Sequence, residues 1–144
     1  MQCPRVTRFT ARRAGSRCLL GNASRSNLRN EHKSRELGDA LLDPASRRGI
    51  GNVWRAESLW HARLSPWLHL GDVSDNELER VLFEAARLMR GSLENGRGER
   101  AIYRRAGRPC PRCGEPVRSR GQGDDNRTAY WCPGCQRGAE APVA

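Results

Sequence analysis

Four cysteines in the carboxyl-terminal third of the sequence have the spacing of metal ligands. They form two Cys-x-x-Cys pairs, Cys110 with Cys113 and Cys132 with Cys135, separated by 18 residues. In each pair a tight turn directs two thiolates at one ion, and two pairs complete a tetrahedral zinc site. The sequence therefore predicts one structural Zn²⁺ bound by four cysteines, with no coordination position open for catalysis.

Two disulfides, or a redox-active pair, are the alternatives for these cysteines. Disulfides are typical of oxidising compartments, and nothing in the sequence resembles a secretory signal. A redox pair is expected as one Cys-x-x-Cys motif beside a βαβ pattern, whereas here two motifs flank a short polar segment. Zinc is the favoured interpretation. Cys3 and Cys18 lie outside the two pairs and are expected to be free thiols.

The segment between the two cysteine pairs predicts a β-hairpin. Residues 116–120 and 127–131 have strand character, and residues 121–126 contain the Gly, Asp and Asn that are typical of a turn. With its cysteines, this hairpin predicts a zinc finger over residues 100–138, followed by a short tail of residues 139–144.

The charge of the chain lies at its two ends. Of the formal net charge of +10, residues 1–35 carry +8, residues 36–100 carry −2 and residues 101–144 carry +4. Clustered positive charge favours a polyanionic partner, of which nucleic acid is the best candidate. Mean hydropathy is −0.79 and no apolar run has the length of a membrane span, so we expect no membrane partner.

Residues 1–34 are rich in Arg, Ser and Asn and show neither helical nor strand periodicity. Their composition predicts a disordered basic tail, which would act as an arm on nucleic acid or remain solvated. An Arg-rich, acid-poor segment also resembles an organelle transit peptide, although its weak amphipathicity argues against that alternative.

The middle of the sequence predicts two helices in succession and then a third. Apolar residues recur at helical spacing over residues 37–41, which Pro44 must end, and over residues 53–64, which Ser65-Pro66 closes. The space between the helices is expected to be filled by three tryptophans, Trp54, Trp60 and Trp67. Because a helical unit this small has only a marginal core of its own, it is expected to pack against the zinc-bound finger.

The third helix has clear boundary signals. Ser74 and Glu77 form the pattern of a capping box, with Val73 and Leu78 placed as a hydrophobic staple. An apolar stripe follows, and Gly96 supplies the stop.

A glycine-rich segment, Gly49-Ile50-Gly51-Asn52, comes immediately before the second helix. Glycine lets a ligand approach the backbone closely, and the free N–H groups at a helix amino terminus favour an anion. Gly49 and Gly51 are therefore candidate phosphate-binding positions, although a plain turn is the alternative interpretation.

Two stretches together resemble one protein family. They are GIGNVWRAESLW at residues 49–60, preceded by LLD at residues 41–43, and RTAYWCPGCQ at residues 127–136. These motifs are similar to those of the formamidopyrimidine-DNA glycosylase/endonuclease VIII family of base-excision-repair enzymes, and the second resembles its endonuclease VIII branch. The resemblance implies a mainly α fold: a helix–two-turn–helix DNA-binding domain at residues 35–97, followed by a β-hairpin finger with four cysteine ligands.

The resemblance also implies a partner and two contacts with it. The partner is damaged or abasic double-stranded DNA, bound by a monomer in the bacterial cytoplasm and associated with the nucleoid. Asn52 matches a family asparagine that binds backbone phosphate at the lesion. Arg127 matches a hairpin arginine that binds phosphates beside the flipped-out nucleotide. Both suit the local physics, because helix termini and arginine forks bind phosphate; a solvated side chain is the alternative for Arg127.

The sequence departs from the family at the residues that perform the reaction. Family members use an amino-terminal proline as Schiff-base nucleophile, followed by a glutamate, where this chain has Gln2 and Cys3; its Pro4 is internal. We therefore predict no catalytic residue, and expect the DNA-binding half of a glycosylase/AP lyase without its catalytic domain. The alternatives are residual lyase chemistry through the amine of Lys33 or Met1, and a zinc-ribbon adaptor for nucleic acid or protein.

Overall fold

The computed structural model of the protein describes residues 33–43, 50–96, 98, 100–138 and 140–141. Its elements in chain order are α1 (Leu37–Leu42), α2 (Asn52–Ala62), a 3-10 turn (Leu70–Asp72), α3 (Asp75–Asn95), β1 (Arg118–Gln122) and β2 (Arg127–Trp131). The expected mainly helical unit followed by a β-hairpin is confirmed. No helix in these ranges is both long and apolar enough to cross a bilayer.

Some predictions lie outside the described residues. These are the basic tail as far as residue 32, the thiols Cys3 and Cys18, and Gly49. The division into a helical domain at 35–97 and a finger at 100–138 stays a prediction.

The three helices enclose one apolar core. Leu37 and Leu41 of α1, Leu59 of α2, and Val81 and Leu82 of α3 are all at most 2% exposed. α2 lies between the other two helices and the finger, and its residues 55–60 are buried on every face. A helix buried all round is a core element, so α2 is the part on which the other elements pack.

The predicted start and end of α3 are confirmed. The Ser74 hydroxyl accepts the Glu77 backbone N–H at 3.3 Å, and the Glu77 carboxylate accepts the Ser74 N–H at 2.9 Å. Val73 and Leu78, the predicted staple, are buried in the same cluster. The helix ends at Asn95, where Gly96 adopts the left-handed conformation with φ 68°, a common helix stop.

The predicted end of α2 was wrong by two residues. The helix ends at Ala62, because Arg63 adopts φ 60° and reverses the chain. The Arg63 N–H then donates to the Trp60 carbonyl and the Leu64 N–H to the Leu59 carbonyl, at 3.1 and 3.0 Å. This pair of bonds is the Schellman ending of a helix, and Arg63 carried no sequence signal for it.

The two strands form an antiparallel pair with Arg118 opposite Trp131 and Gln122 opposite Arg127. The predicted bounds of β2 are confirmed. The predicted first strand, residues 116–120, was displaced by two residues from β1.

The displacement of β1 has a local cause. Val117 pairs with the segment before the first cysteine: its N–H donates to the Arg108 carbonyl at 2.9 Å, and its carbonyl accepts the Gly107 N–H at 2.8 Å. Residue 117 is therefore unavailable to β2. The turn shortens to residues 123–126, closed by a 3.0 Å bond from the Asn126 N–H to the Gly123 carbonyl.

Two of the three tryptophans lie elsewhere than predicted. Trp54 packs against the helical core as expected. Trp60 packs with the cysteines of the finger, and Trp67 packs edge-to-face on Trp131 of β2 with ring centroids 5.3 Å apart. Both therefore join the helices to the finger, which extends a core that the helices alone leave small.

Two further side chains fix the finger to α2. The buried Glu57 carboxylate accepts the backbone N–H groups of Ala101, Ile102 and Tyr103 at 2.8–3.0 Å. Gln136 accepts the Cys132 N–H at 2.6 Å and donates at 2.7 Å to the carbonyl of Leu64, two residues after the end of α2. The polypeptide is thus anchored to α2 on both sides of the hairpin.

We predict that Glu57→Gln lowers the free energy of unfolding by about 1–3 kcal/mol, because one carboxylate acceptor becomes an NH₂ group facing a buried N–H. Chemical denaturation measures the change. The control is Glu84→Gln, which removes the partner of Arg87 in a solvent-facing pair; its expected cost is below about 0.5 kcal/mol. Equal losses in the two variants would contradict the anchoring role of Glu57.

Candidate nucleic-acid interface

The four cysteines of the finger converge on one point. Their Sγ atoms all lie within 4.8 Å of one another. Sγ···Sγ distances are 3.8 Å between Cys110 and Cys135 and 3.3 Å between Cys113 and Cys132. A tetrahedral ion with metal–sulfur bonds of about 2.3 Å requires sulfur separations of about 3.8 Å. All four thiols are free, so the cluster is compatible with a zinc finger and does not contain the alternative disulfides.

The surroundings of Cys110, in the first cysteine pair, favour a thiolate. The Gly114 N–H donates to the Cys110 carbonyl at 2.9 Å, and Gly114 has φ 81°, which glycine adopts without strain. Burial raises the pKa of the Cys110 thiol, but the backbone N–H groups of Cys113 and Arg112 and the Trp60 indole outweigh it and lower that pKa to about 6. Such N–H donors favour the ionised sulfur that a metal requires.

The amino terminus of α2 lies against the hairpin. Asn52 is the first residue of the helix, and its Nδ2 donates to the Thr128 carbonyl of β2 at 3.0 Å. Arg127, the neighbour of Thr128, is exposed, with its Nε 3.9 Å from an Asp125 carboxylate oxygen. The structure thus brings together two predicted site residues that are 75 positions apart in the chain. Gly51 caps the helix and is exposed.

Arg55, which the sequence analysis did not select, joins these two parts. Its side chain is 1% exposed. Nη2 donates to the Asn52 Oδ1 at 2.6 Å and to the carbonyls of Thr128 and Arg127 at 2.9 and 3.3 Å. One guanidinium therefore fixes the Asn52 side chain and the first residues of β2 in one arrangement.

The other amino group of Arg55 reaches the end of β1. Nη1 donates to the Gln122 Oε1 at 3.2 Å and to the Gly38 carbonyl at 3.4 Å. The Gln122 Nε2 in turn donates to the Pro66 carbonyl and the Glu36 carboxylate, both at 2.8 Å. Gly38 makes this approach possible, because a Cβ there would overlap the Gln122 Oε1. Both strands of the hairpin are thus hydrogen-bonded to the helical unit.

The position of Arg55 imposes an electrostatic cost that its acceptors offset. Burial lowers the pKa of Arg55 to about 10, the Asp39 carboxylate opposes that shift, and Arg127 adds to it. The guanidinium is still positive at neutral pH. A buried cation of this kind is tolerated when its protons are hydrogen-bonded. Here both amino groups donate to backbone carbonyls and amide oxygens, whereas the buried Nε has no partner among the described residues.

The surface beside this network favours an anion. The first turn of α2 contains no acidic residue, so its free N–H groups have no competing carboxylate within that turn. Three arginines of the hairpin, Arg118, Arg120 and Arg127, are exposed. A partly exposed helix amino terminus beside an arginine such as Arg127 can bind a phosphate or a similar anion.

No sequence signal marked Arg55. Its neighbours one turn away on α2 include Asn52 and Ser58, so it lies outside the apolar stripe and the sequence alone predicts a solvated side chain. Its partners are backbone carbonyls of a distant strand, which no local pattern identifies.

We predict that Arg55→Met lowers the free energy of unfolding by at least about 2 kcal/mol, because several buried acceptors lose their donor. Denaturant titration measures the loss, and amide hydrogen exchange is expected to rise at Thr128. The free energy of unfolding of Arg55→Lys is expected to lie between those of the unaltered protein and Arg55→Met, since one ammonium cannot replace two donor groups. A free energy of unfolding for Arg55→Met within about 0.5 kcal/mol of that of the unaltered protein, the usual range for surface substitutions, would contradict the bridging role.

Comparison with known proteins places this arrangement in a family. Residues 21–103, more than half of the chain, match the family model of the formamidopyrimidine-DNA glycosylase H2TH domain. The probable endonuclease 8 2 of Streptomyces coelicolor is 39% identical in an alignment of 114 positions that covers 72% of this chain and 41% of that protein. The formamidopyrimidine-DNA glycosylase of Mycobacteroides abscessus is 35% identical in an alignment of 128 positions that covers 76% of this chain and 43% of that one. The chain spans less than half the length of these relatives.

Solved structures of known proteins also resemble this chain in fold. The MutM (Fpg) protein of Thermus thermophilus superposes with a TM-score of 0.69 at 28% identity, over 83% of this chain and 50% of that one. The fold is also shared with Lactococcus lactis Fpg, whose structure is a complex with DNA containing an abasic site (TM-score 0.67, 21% identity, 79% and 46% covered). The chain belongs to the formamidopyrimidine-DNA glycosylase/endonuclease 8 family.

Proposed function

We propose that this chain binds the sugar–phosphate backbone of damaged or abasic double-stranded DNA, as the DNA-binding part of a base-excision-repair glycosylase/AP lyase. The observation that carries the proposal is the direct hydrogen bond between Asn52, at the tip of α2, and Thr128, beside Arg127. Two anion-binding elements from distant parts of the chain form one surface. Membership of the family and the abasic-DNA complex of the Lactococcus lactis relative support it.

Each candidate residue has a distinct role in this proposal. Asn52 and the free backbone N–H groups of α2 bind one phosphate, since a helix amino terminus attracts anions. The exposed Gly51, and Gly49 before it, let the DNA backbone approach closely. Arg127 binds neighbouring phosphates with its planar fork. Such contacts position the protein on DNA without reading its sequence.

We further propose that Cys110, Cys113, Cys132 and Cys135 bind one structural Zn²⁺. The ion would link the two ends of the finger, because the core of the finger is too small to hold them together by packing alone. With four thiolates it has no open position and takes no part in the reaction.

Binding by these 144 residues is proposed to occur without strand cleavage. Neither Asn52 nor Arg127 can form a Schiff base, and the chain covers 41% of the Streptomyces coelicolor relative. We expect one protein molecule to engage one lesion, with the bacterial nucleoid as its place of action.

The proposal is tested by measuring affinity for an abasic duplex and for an intact duplex of the same sequence, at several salt concentrations. We expect tighter binding to the abasic duplex, and we expect this preference to survive deletion of residues 1–32. Equal affinities for the two duplexes, or a preference lost with the basic segment, would contradict it. In the latter case the binding would belong to that segment and not to the surface formed by Asn52 and Arg127.

Arg127→Ala is predicted to weaken binding to all duplex sequences and to reduce the slope of log K against log salt by about one, because one phosphate contact releases about one counterion. Arg87→Ala is the control: it removes the same charge from an arginine of similar exposure that lies on α3. Similar slopes in the two variants would exclude Arg127 from the interface.

Cys132→Ser is predicted to abolish stoichiometric zinc binding and to unfold the finger, because structural zinc contributes folding free energy directly. Zinc content of purified protein and amide exchange of residues 118–131 measure the two effects. Cys18→Ser is the matched control, since Cys18 lies outside the two pairs, and it should retain one zinc per chain. A Cys132→Ser protein with full zinc content would contradict the assigned ligand set.

A further inference from the structure

We propose that Trp60 and Arg112 are positioning residues for the metal site, which hold its sulfur atoms by N–H···S hydrogen bonds and slow the loss of the ion. This inference rests on the proposed zinc site. It adds a contact, made from helix α2, that determines how firmly the finger retains its metal.

Trp60 reaches the cysteines from within the helical unit. It lies in the last turns of α2, is 8% exposed, and its indole Nε1 is 3.3 Å from the Sγ of Cys110. An indole N–H is only a donor, so the sulfur is the acceptor. Cys110 is itself buried, which keeps water from replacing this donor.

Arg112 completes the contact from the other side. Its guanidinium carbon lies 3.9 Å from the centroid of the Trp60 ring, a cation–π arrangement. Its Nη1 donates to the Trp60 carbonyl at 3.1 Å and to the Sγ of Cys135 at 3.6 Å. The stacked pair therefore contacts one sulfur from each Cys-x-x-Cys motif.

The charge of a four-thiolate site explains why these donors matter. Zn²⁺ with four thiolates has a net charge of −2, and each sulfur retains electron density that attracts protons and competing electrophiles. A neighbouring N–H donor and a guanidinium stabilise that charge and fix the sulfur positions. Loss of such an outer donor typically costs about 10- to 100-fold in metal affinity.

The chain contains a matched control for Trp60. Trp67 is 7% exposed and also packs at the junction of helices and finger, against Trp131. Its Nε1 has no hydrogen-bond partner among the described residues. Replacement of either tryptophan by phenylalanine removes a similar volume, but only Trp60→Phe removes an N–H···S bond.

The test compares the unaltered protein, Trp60→Phe and Trp67→Phe, each first loaded with one zinc. The rate of zinc transfer to a chelator is measured at fixed pH, together with the thiolate-to-metal charge-transfer band after Co²⁺ substitution. We expect Trp60→Phe to release zinc about 10-fold faster or more and to show a shifted band. The zinc-release rate of Trp67→Phe should stay within about twofold of the rate of the unaltered protein, and its charge-transfer band should not shift.

Equal release rates in Trp60→Phe and Trp67→Phe would overturn the proposal. Arg112→Met, a substitution at a half-exposed position, provides a second variant that keeps the tryptophan and its packing. It too should release zinc several-fold faster, and an unchanged rate would remove Arg112 from the assignment. An unaltered protein that binds neither zinc nor cobalt would instead refute the metal site itself, so the two failures are distinguishable.

Discussion

The structure depends on one buried positive charge. Arg55 lies between the helical unit and the finger, where its guanidinium donates to the Asn52 side chain and to carbonyls of β2. The same group contacts the end of β1 through Gln122. Since guanidinium hydrogens are fixed in a plane, these bonds set the angle of the hairpin relative to α2 and not merely its distance. The proposed phosphate-binding surface, shared by the two parts, requires such a fixed angle.

The other contacts between the helical unit and the finger share one feature: each is made with α2 or with the residues just after it. Glu57 accepts three N–H groups of the segment entering the finger, and Gln136 connects the last cysteine pair with the end of the helix. Trp60 contacts a cysteine sulfur directly. One helix of 11 residues thus has the proposed phosphate-binding amino terminus at one end and contacts with the cysteine cluster toward the other. This explains why its charged residues are buried although the helix lies in a small protein.

Features with a recognisable spacing pattern were predictable from the sequence. Ser74 with Glu77 specifies a helix start, and each Cys-x-x-Cys pair specifies a turn that presents two thiols. The 18 residues between the two pairs fall within the spacing typical of one four-cysteine cluster. Features determined by tertiary contacts were not. The displaced start of β1 follows from pairing of Val117 with an upstream segment, and Trp60 faces the cysteines only because the finger folds back on α2. The family resemblance predicted phosphate contacts for Asn52 and Arg127, while Arg55, which connects the two segments, has partners too distant in sequence to be inferred.

The most direct test of the account is a nuclear magnetic resonance titration of the isotope-labelled, zinc-loaded protein with an abasic duplex. The account predicts that the backbone amides of Asn52 and Val53 at the helix tip, and of Arg127 and Thr128 in the hairpin, shift together with one dissociation constant. An intact duplex should produce smaller shifts at higher concentration. Shifts confined to residues 1–32, or different dissociation constants for helix tip and hairpin, would show that the two parts do not form one DNA-binding surface.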